Sequence, residues 1–76
     1  MKTPDNLPKL PHVPNGYAEL IKAFRKRYNI TQMQLADIMG VAFPTINRWE
    51  NRRCKPHPLF WQHLLNVATI FEKDAG

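Results

Sequence analysis

The stretch TQMQLADIMGVAFPTINRWE, residues 31–50, contains two short helical patterns separated by a glycine. Thr31 and Gln34 have the spacing of a capping box, in which each side chain binds the backbone amide of the other residue, so a helix is predicted to begin at Gln32. Gly40 supplies the left-handed residue with which many helices end. The next apolar pattern follows almost at once, which predicts two helices joined by a tight turn.

The second helix of this pair carries a proline near its start. Ile46 and Trp49 are three residues apart and predict a buried stripe. Pro44 is compatible with the first turn, because the amide hydrogen that proline lacks has no intrahelical acceptor there. The residue before a proline is disfavoured in helical geometry, so Phe43 is predicted to be the cap and the helix to begin after it.

Apolar residues at helical spacing continue on both sides of the pair. A first helix is predicted from Tyr17 to about Asn29, and a last helix is predicted to begin at Pro58. The predicted apolar faces of these two helices consist of Tyr17, Leu20, Ile21, Phe24 and Tyr28, and of Phe60, Trp61, Leu64, Val67, Ala68 and Phe71. No strand is indicated, so the expected fold is all-α, a compact domain of four helices.

The chain before the first helix has a different composition. Prolines at positions 4, 8, 11 and 14 favour extended geometry, which predicts a proline-rich N-terminal tail over residues 1–15 and a domain over residues 16–76. The prolines from 8 to 14 have the spacing of an SH3-type ligand. The simpler interpretation is a tail whose Leu7, Leu10 and Val13 lie on the domain or stay loose.

Length and charge limit the function classes. Seventy-six residues suffice for one domain, and the net charge of +5 is concentrated in the middle of the chain, which suits a polyanionic partner. A lone cysteine favours a reducing compartment, and without an apolar run of membrane length a cytoplasmic protein is expected. Cys54, His57 and His63 lack the spacing of a metal site, and no nucleophile with its base can be identified, so no metal, cofactor or enzymatic activity is predicted.

The stretch TQMQLADIMGVAFPTINRWENRR resembles the helix-turn-helix of the phage Cro and repressor type, also called the xenobiotic-response-element family. The residues at the inward and turn positions of that motif are Leu35, Ala36, Met39, Gly40, Val41, Ile46 and Trp49. The likeness extends from about Tyr17 to Ala68. It implies a repressor-like fold in which helices 2 and 3 form the motif; because similar domains usually carry a fifth helix, a domain of five helices is the alternative to one of four.

On a helical wheel, one face of helix 3 points away from Ile46 and Trp49 and is expected to contact DNA. Arg48 is the candidate for guanine and Asn47 for adenine, with Thr45 nearby for a base or a phosphate. Pro44 and Phe43 lack suitable donors, so their expected contact is apolar, with thymine methyl groups. For Phe43 the alternative is that it folds back onto helix 2.

Phosphate contacts are expected from helix ends and basic side chains. The candidates are Gln32, Asn51, Arg52, Arg53 and Lys55. The family resemblance further implies that Arg25 in helix 1 pairs with Glu50 at the end of helix 3. Such a half-buried ion pair would hold helix 3 against helix 1.

The predicted function is sequence-specific binding of double-stranded DNA by a transcriptional regulator, specifically a repressor of bacterial or phage type. One short helix spans few base pairs, so a homodimer on a palindromic site is expected. The alternative is a protein-interaction module, including an antitoxin-like partner. If the fifth helix is absent, apolar surface beside helix 4 would be open to the tail, a second copy or another protein.

Overall fold

The computed structural model describes residues 11–75, and their secondary structure is entirely helical. The helices are α1, Tyr17–Tyr28; α2, Gln32–Met39; α3, Phe43–Glu50; and α4, Pro58–Ala75. The predicted all-α fold of four helices is confirmed, and within residues 11–75 there is no strand. None of the described helices is long and apolar enough to cross a bilayer.

The ends of α2 are formed as predicted. The Gln34 amide donates to Thr31 Oγ1 at 3.0 Å, and the Thr31 amide donates to Gln34 Oε1 at 2.9 Å. Gly40 ends the helix in the left-handed region, with φ of 70°. The Val41 amide then donates to the carbonyl of Ala36 at 3.0 Å, which closes the turn toward α3. The capping box and the turn glycine are therefore confirmed.

The start of α3 differs from the prediction. Phe43 is the first helical residue and Ala42 is the N-cap, with φ of −70° and ψ of 145°, so the prediction that Phe43 caps the helix was wrong. The clash that proline imposes on the preceding residue lowers its preference for helical geometry but does not forbid it. The Thr45 amide donates to the carbonyl of Ala42 at 2.9 Å, and Pro44 lacks only a hydrogen that this first turn does not use.

The core lies between α1, α2, α3 and the first half of α4. Ile21, Leu35 and Ile46 are fully buried at its centre. The other buried apolar residues are Val13, Tyr17, Ala18, Ile30, Ala36, Met39, Trp49, Trp61, Leu64 and Val67. The inward positions predicted for the helix pair therefore line the core, with Val41 partly buried against it.

Two side chains assigned to apolar faces are exposed instead. Leu20 is 50% exposed, whereas Ala18, on the opposite border of the α1 stripe, is 1% exposed. Phe60 is 42% exposed, although its ring lies 5.8 Å from that of Trp49. In both helices the apolar stripe is wider than the neighbouring helices can cover.

Part of the predicted tail packs on the domain. Val13 is only 3% exposed and belongs to the core, and the amide of Tyr17 donates to the carbonyl of Pro14 at 3.2 Å. Leu7, Leu10 and the first proline of the SH3-type spacing lie outside the described residues. The division into a tail and a domain remains a prediction.

Candidate nucleic-acid interface

The outward face of α3, defined here as Pro44, Asn47, Arg48 and Asn51, lines a shallow groove together with Arg53. It lies opposite the buried Ile46 and Trp49. The structure thus brings together three of the predicted base contacts on a single surface. Within residues 11–75 the guanidinium of Arg48 makes no hydrogen bond, which leaves its whole fork of donors for an external acceptor.

Phe43 lies at the edge of this surface, beside the start of α2. Phe43 is 43% exposed, and it lines a second depression with Gln32 and Met33. Met33 is itself 61% exposed, so the two side chains form an apolar border next to the outward face. Contact with thymine methyl groups and packing against α2 both remain predictions for Phe43. Thr45, also predicted to contact DNA, is partly buried.

Arg25 and Glu50, the two residues expected to pair, form a bidentate ion pair. Arg25 Nε donates to Glu50 Oε2 at 2.5 Å, and Arg25 Nη2 donates to Glu50 Oε1 at 2.7 Å. A third bond, from Arg25 Nη1 to the carbonyl of Ile30 at 3.1 Å, ties the same guanidinium to the segment before α2. The pair therefore joins α1, α2 and the end of α3, and it sets the position of α3 on the domain.

The environment of Glu50 favours its charged form. Its side chain is 3% exposed, and this burial opposes ionisation, but hydrogen bonds from Arg25 and Gln32 outweigh the burial and lower the pKa of the carboxyl. The bonds to Glu50 in turn raise the pKa of Arg25. Both partners are therefore charged at neutral pH.

Gln32 and Asn51 were predicted to contact phosphates, and in the structure both bind Asn47. Gln32 Nε2 donates to Glu50 Oε1 at 3.1 Å, while Gln32 Oε1 accepts from Asn47 Nδ2 at 3.2 Å. Asn51 Nδ2 donates to Asn47 Oδ1 at 3.2 Å and to its backbone carbonyl at 2.9 Å. From the sequence, only the bonds between Asn47 and Asn51 could have been predicted, because the two residues are four positions apart at helical spacing.

Arg52 is the second residue after α3, and its side chain is turned toward α1. Its backbone is left-handed, with φ of 60°, and its side chain donates to Glu19 Oε2 at 2.5 Å and to the carbonyl of Asn15 at 2.9 Å. The guanidinium also lies over the ring of Tyr17, 5.4 Å from its centre. The hydrogen bond from Arg52 lowers the pKa of Glu19. Arg52 was predicted to contact a phosphate, but its charge is paired with Glu19 within the chain.

The remaining basic candidates, Arg53 and Lys55, are exposed after α3. Cys54 is an exposed free thiol, and residues 11–75 contain no group of three or more metal-binding side chains. The surface around the outward face of α3 is therefore a basic one with amide groups.

Two short helices, α2 and α3, joined by a tight glycine turn, with the outward face of α3 exposed, have the arrangement of a helix-turn-helix. Comparison with protein families matches residues 21–59, about half of the chain, to a family described as helix-turn-helix. The chain belongs to this family, of the Cro/C1 type, as the sequence predicted, and it is a DNA-binding regulator of transcription in the general sense of that family. The family is typically not enzymatic. Searches of curated proteins and of solved structures found no significant match.

Proposed function

We propose that this protein is a repressor that binds double-stranded DNA sequence-specifically, with α3 in the major groove. The observation that carries the proposal is that Arg48 and Asn47 lie on the same exposed face. The guanidinium of Arg48 makes no hydrogen bond within residues 11–75, and the amide of Asn47 is oriented by its bond to Gln32. The Arg25–Glu50 pair supports the proposal, because it anchors the end of α3 to α1. Repression requires only that the site be occupied, which a small domain of this kind can achieve.

In this arrangement Arg48 donates two hydrogen bonds to O6 and N7 of guanine, and Asn47 binds adenine. Thr45 contacts a base or a phosphate from the start of α3. Pro44 and Phe43 provide the apolar contact with thymine methyl groups, for which the exposure of the Phe43 ring is a prerequisite.

The DNA backbone is bound on both sides of α3. Gln32 contacts a phosphate from the start of α2, where the backbone amides of a helix attract anions. Asn51, Arg53 and Lys55 contact phosphates from the end of α3. We assign Arg52 a smaller share of the phosphate binding than the sequence suggested, because its guanidinium is bound to Glu19 and Asn15.

The binding species is a homodimer on a palindromic site. The eight residues of α3 give a helix about 12 Å long, which spans few base pairs. A second copy doubles the contacted sequence and places the two helices about 34–36 Å apart, one turn of DNA.

The rival function is a protein-interaction module, such as an antitoxin-like partner of another protein. It is favoured by exposed apolar side chains on α4, where Leu59 and Ile70 are each 60% exposed and Leu65 is 40% exposed. Such side chains suit a protein partner.

Selection from a random duplex library tests the proposal directly. The enriched duplex and a scrambled duplex are then compared for affinity at two salt concentrations. We expect a preference of about a thousandfold or more, and affinity that falls steeply with salt as phosphate neutralisation requires. Absence of enrichment, with weak binding to every duplex, would contradict DNA recognition and favour the protein partner.

A further inference from the structure

A chain of side-chain hydrogen bonds runs from the buried ion pair to the outward face of α3. Glu50 accepts from Gln32, Gln32 accepts from Asn47, and Asn47 accepts from Asn51, over donor to acceptor distances of 3.1, 3.2 and 3.2 Å. The chain connects the first residue of α2 with Asn47 in α3 and with Asn51, the C-cap of that helix. Its middle amide belongs to the residue that we propose as the adenine contact.

Both ends of this chain are groups that only accept hydrogen bonds. At the buried end, the carboxylate of Glu50 requires Gln32 to present its nitrogen, which leaves the oxygen of Gln32 for Asn47. At the outer end, the backbone carbonyl of Asn47 requires Asn51 to present its nitrogen. Starting from either end, the same orientation of the Asn47 amide follows. Turning the Asn47 amide over would place its oxygen against the oxygen of Gln32 and its NH2 group against the NH2 group of Asn51.

The two bonds leave Asn47 with a defined remaining capacity. A carboxamide has two N–H donors and an oxygen that accepts two bonds. Gln32 uses one donor and Asn51 uses one acceptor position, so one N–H and one lone pair remain for a ligand. In the major groove adenine presents one acceptor, N7, and one donor, N6, whereas guanine presents two acceptors and cytosine only a donor.

We propose that Gln32 and Asn51 are positioning residues that hold the Asn47 amide in a single orientation and thereby set its preference for adenine. This inference rests on the proposed DNA contact of α3. It gives the two residues a role in specificity in addition to any phosphate contact. A phosphate contact affects all sequences equally, whereas the positioning of Asn47 affects one base pair.

The test uses Gln32→Met, which keeps the length of the side chain but removes both of its bonds, and Asn51→Ala, singly and together. The measurement is the affinity ratio between the selected duplex and a duplex altered at the base pair that depends on Asn47. That base pair is identified beforehand as the position at which the Asn47→Ala variant no longer prefers one base over the others. We expect the double variant to lower the ratio about tenfold, within the range of one bidentate base contact, and each single variant to lower it less.

Two controls separate positioning from other effects. Gln62→Met removes the same kind of bond on α4, where Gln62 Nε2 donates to Asn66 Oδ1 at 2.9 Å, and should leave the ratio unchanged. In an Asn47→Ala background, the double variant should not lower the ratio further. A uniform loss of affinity for all duplexes, with the ratio intact, would overturn the proposal.

A second measurement examines the free protein and does not depend on DNA. The NMR order parameter of the Asn47 side-chain amide should be high in the parent and should fall below about 0.6 in the double variant. A mobile Asn47 amide in the parent overturns the positioning role. If the parent shows no sequence preference, the proposed function is refuted, and the proposed preference of Asn47 for adenine is refuted with it. The order parameter still tests, independently of DNA, whether Gln32 and Asn51 hold the Asn47 amide in one orientation.

Discussion

At the scale of single residues, Arg48 and Glu50 have opposite roles although they are two positions apart. Arg48 is exposed and makes no hydrogen bond within residues 11–75, whereas Glu50 is 3% exposed and binds Arg25 and Gln32. A helix turns by about 100° per residue, so neighbouring positions separate a surface for a ligand from a surface for the core. Substitutions at these two positions should therefore affect different properties.

Arg48→Ala should reduce the discrimination of the proposed site by about 1–3 kcal/mol at one base pair, because a bidentate guanine contact is lost. The measurement is the affinity for the selected duplex and for its single-base variants. Arg27→Ala is the control, since it removes the same charge from the exposed side of α1, where the guanidinium lies over Tyr28. Equal losses of preference in both variants would contradict the assignment. If a protein is the true partner, complex formation with it should survive Arg48→Ala.

Glu50→Ala should lower the free energy of unfolding by about 3–5 kcal/mol, because it leaves the half-buried Arg25 without its partner. Chemical denaturation of the two proteins gives this difference. Glu19→Ala is the control, because it removes a glutamate from the ion pair with Arg52, whose two side chains are substantially exposed. The free energy of unfolding should change much less in this variant. An unchanged unfolding curve for Glu50→Ala would refute the structural role of the pair.

The lowered pKa of Glu50 predicts how this stabilisation depends on pH. A carboxyl whose pKa is lower in the folded than in the unfolded protein stabilises fully above the unfolded value, about 4.3, and loses its effect as the pH falls through the folded value. The stability difference between the parent and Glu50→Gln should be constant from about pH 7 to pH 5 and should shrink below about pH 4.3. Melting temperatures of both proteins across this range test it, and a difference that persists undiminished at pH 3 would count against it.

At the scale of elements, the turn between α2 and α3 depends on backbone geometry more than on packing. Gly40 has φ of 70°, and a Cβ built there would meet nothing within 4 Å. The requirement for glycine is therefore conformational. The start of α3 shows the converse case, because Phe43 accepts a helical geometry that the following proline disfavours.

Gly40→Ala should destabilise the protein by about 1–2 kcal/mol, the cost of placing a side chain in the left-handed region. Gly16→Ala is the matched control: that glycine has φ of −85°, and a Cβ there also meets nothing within 4 Å. Gly16 is the N-cap of α1, a position where alanine is less favourable than glycine, so its substitution should cost something, but less than about 1 kcal/mol. Similar unfolding midpoints for the two variants would show that the turn tolerates a side chain.

At the scale of the whole molecule, contacts distant in sequence fasten the end of α3 to the start of α1. Arg52 reaches Glu19 and Asn15, and Val13 enters the core before the first helix begins. These contacts anchor the end of α3 on the domain, and the proposed contact of α3 with base edges depends on that anchoring. A single copy still presents only one such helix.

The proposed dimer makes a prediction about the spacing of half-sites. Inserting five base pairs between the halves of the selected palindrome rotates one half-site by about half a turn, since DNA turns once in about 10–10.5 base pairs. The two copies of α3 should then no longer bind together, and affinity should fall to that of a single half-site. Undiminished affinity after this insertion would argue against a rigid dimer.

The sequence by itself determined the elements and most of the core. The capping box, Gly40 and the spacing of Ile46 and Trp49 act within one or two helical turns, so local chemistry suffices to predict them. The family resemblance supplied the pairing of Arg25 with Glu50 across 25 positions, which no local pattern contains.

The tertiary structure alone decided which side chains remain available at the surface. Leu20 is exposed and Ala18 is buried, because tertiary packing covers one border of the α1 stripe and leaves the other open. Arg52 is paired because folding brings Glu19 beside it, and Gln32 reaches Asn47 because the turn places α2 against α3. Such bonds depend on distances between elements that no local pattern specifies, and for that reason the bonding of Asn47 emerged only with the fold.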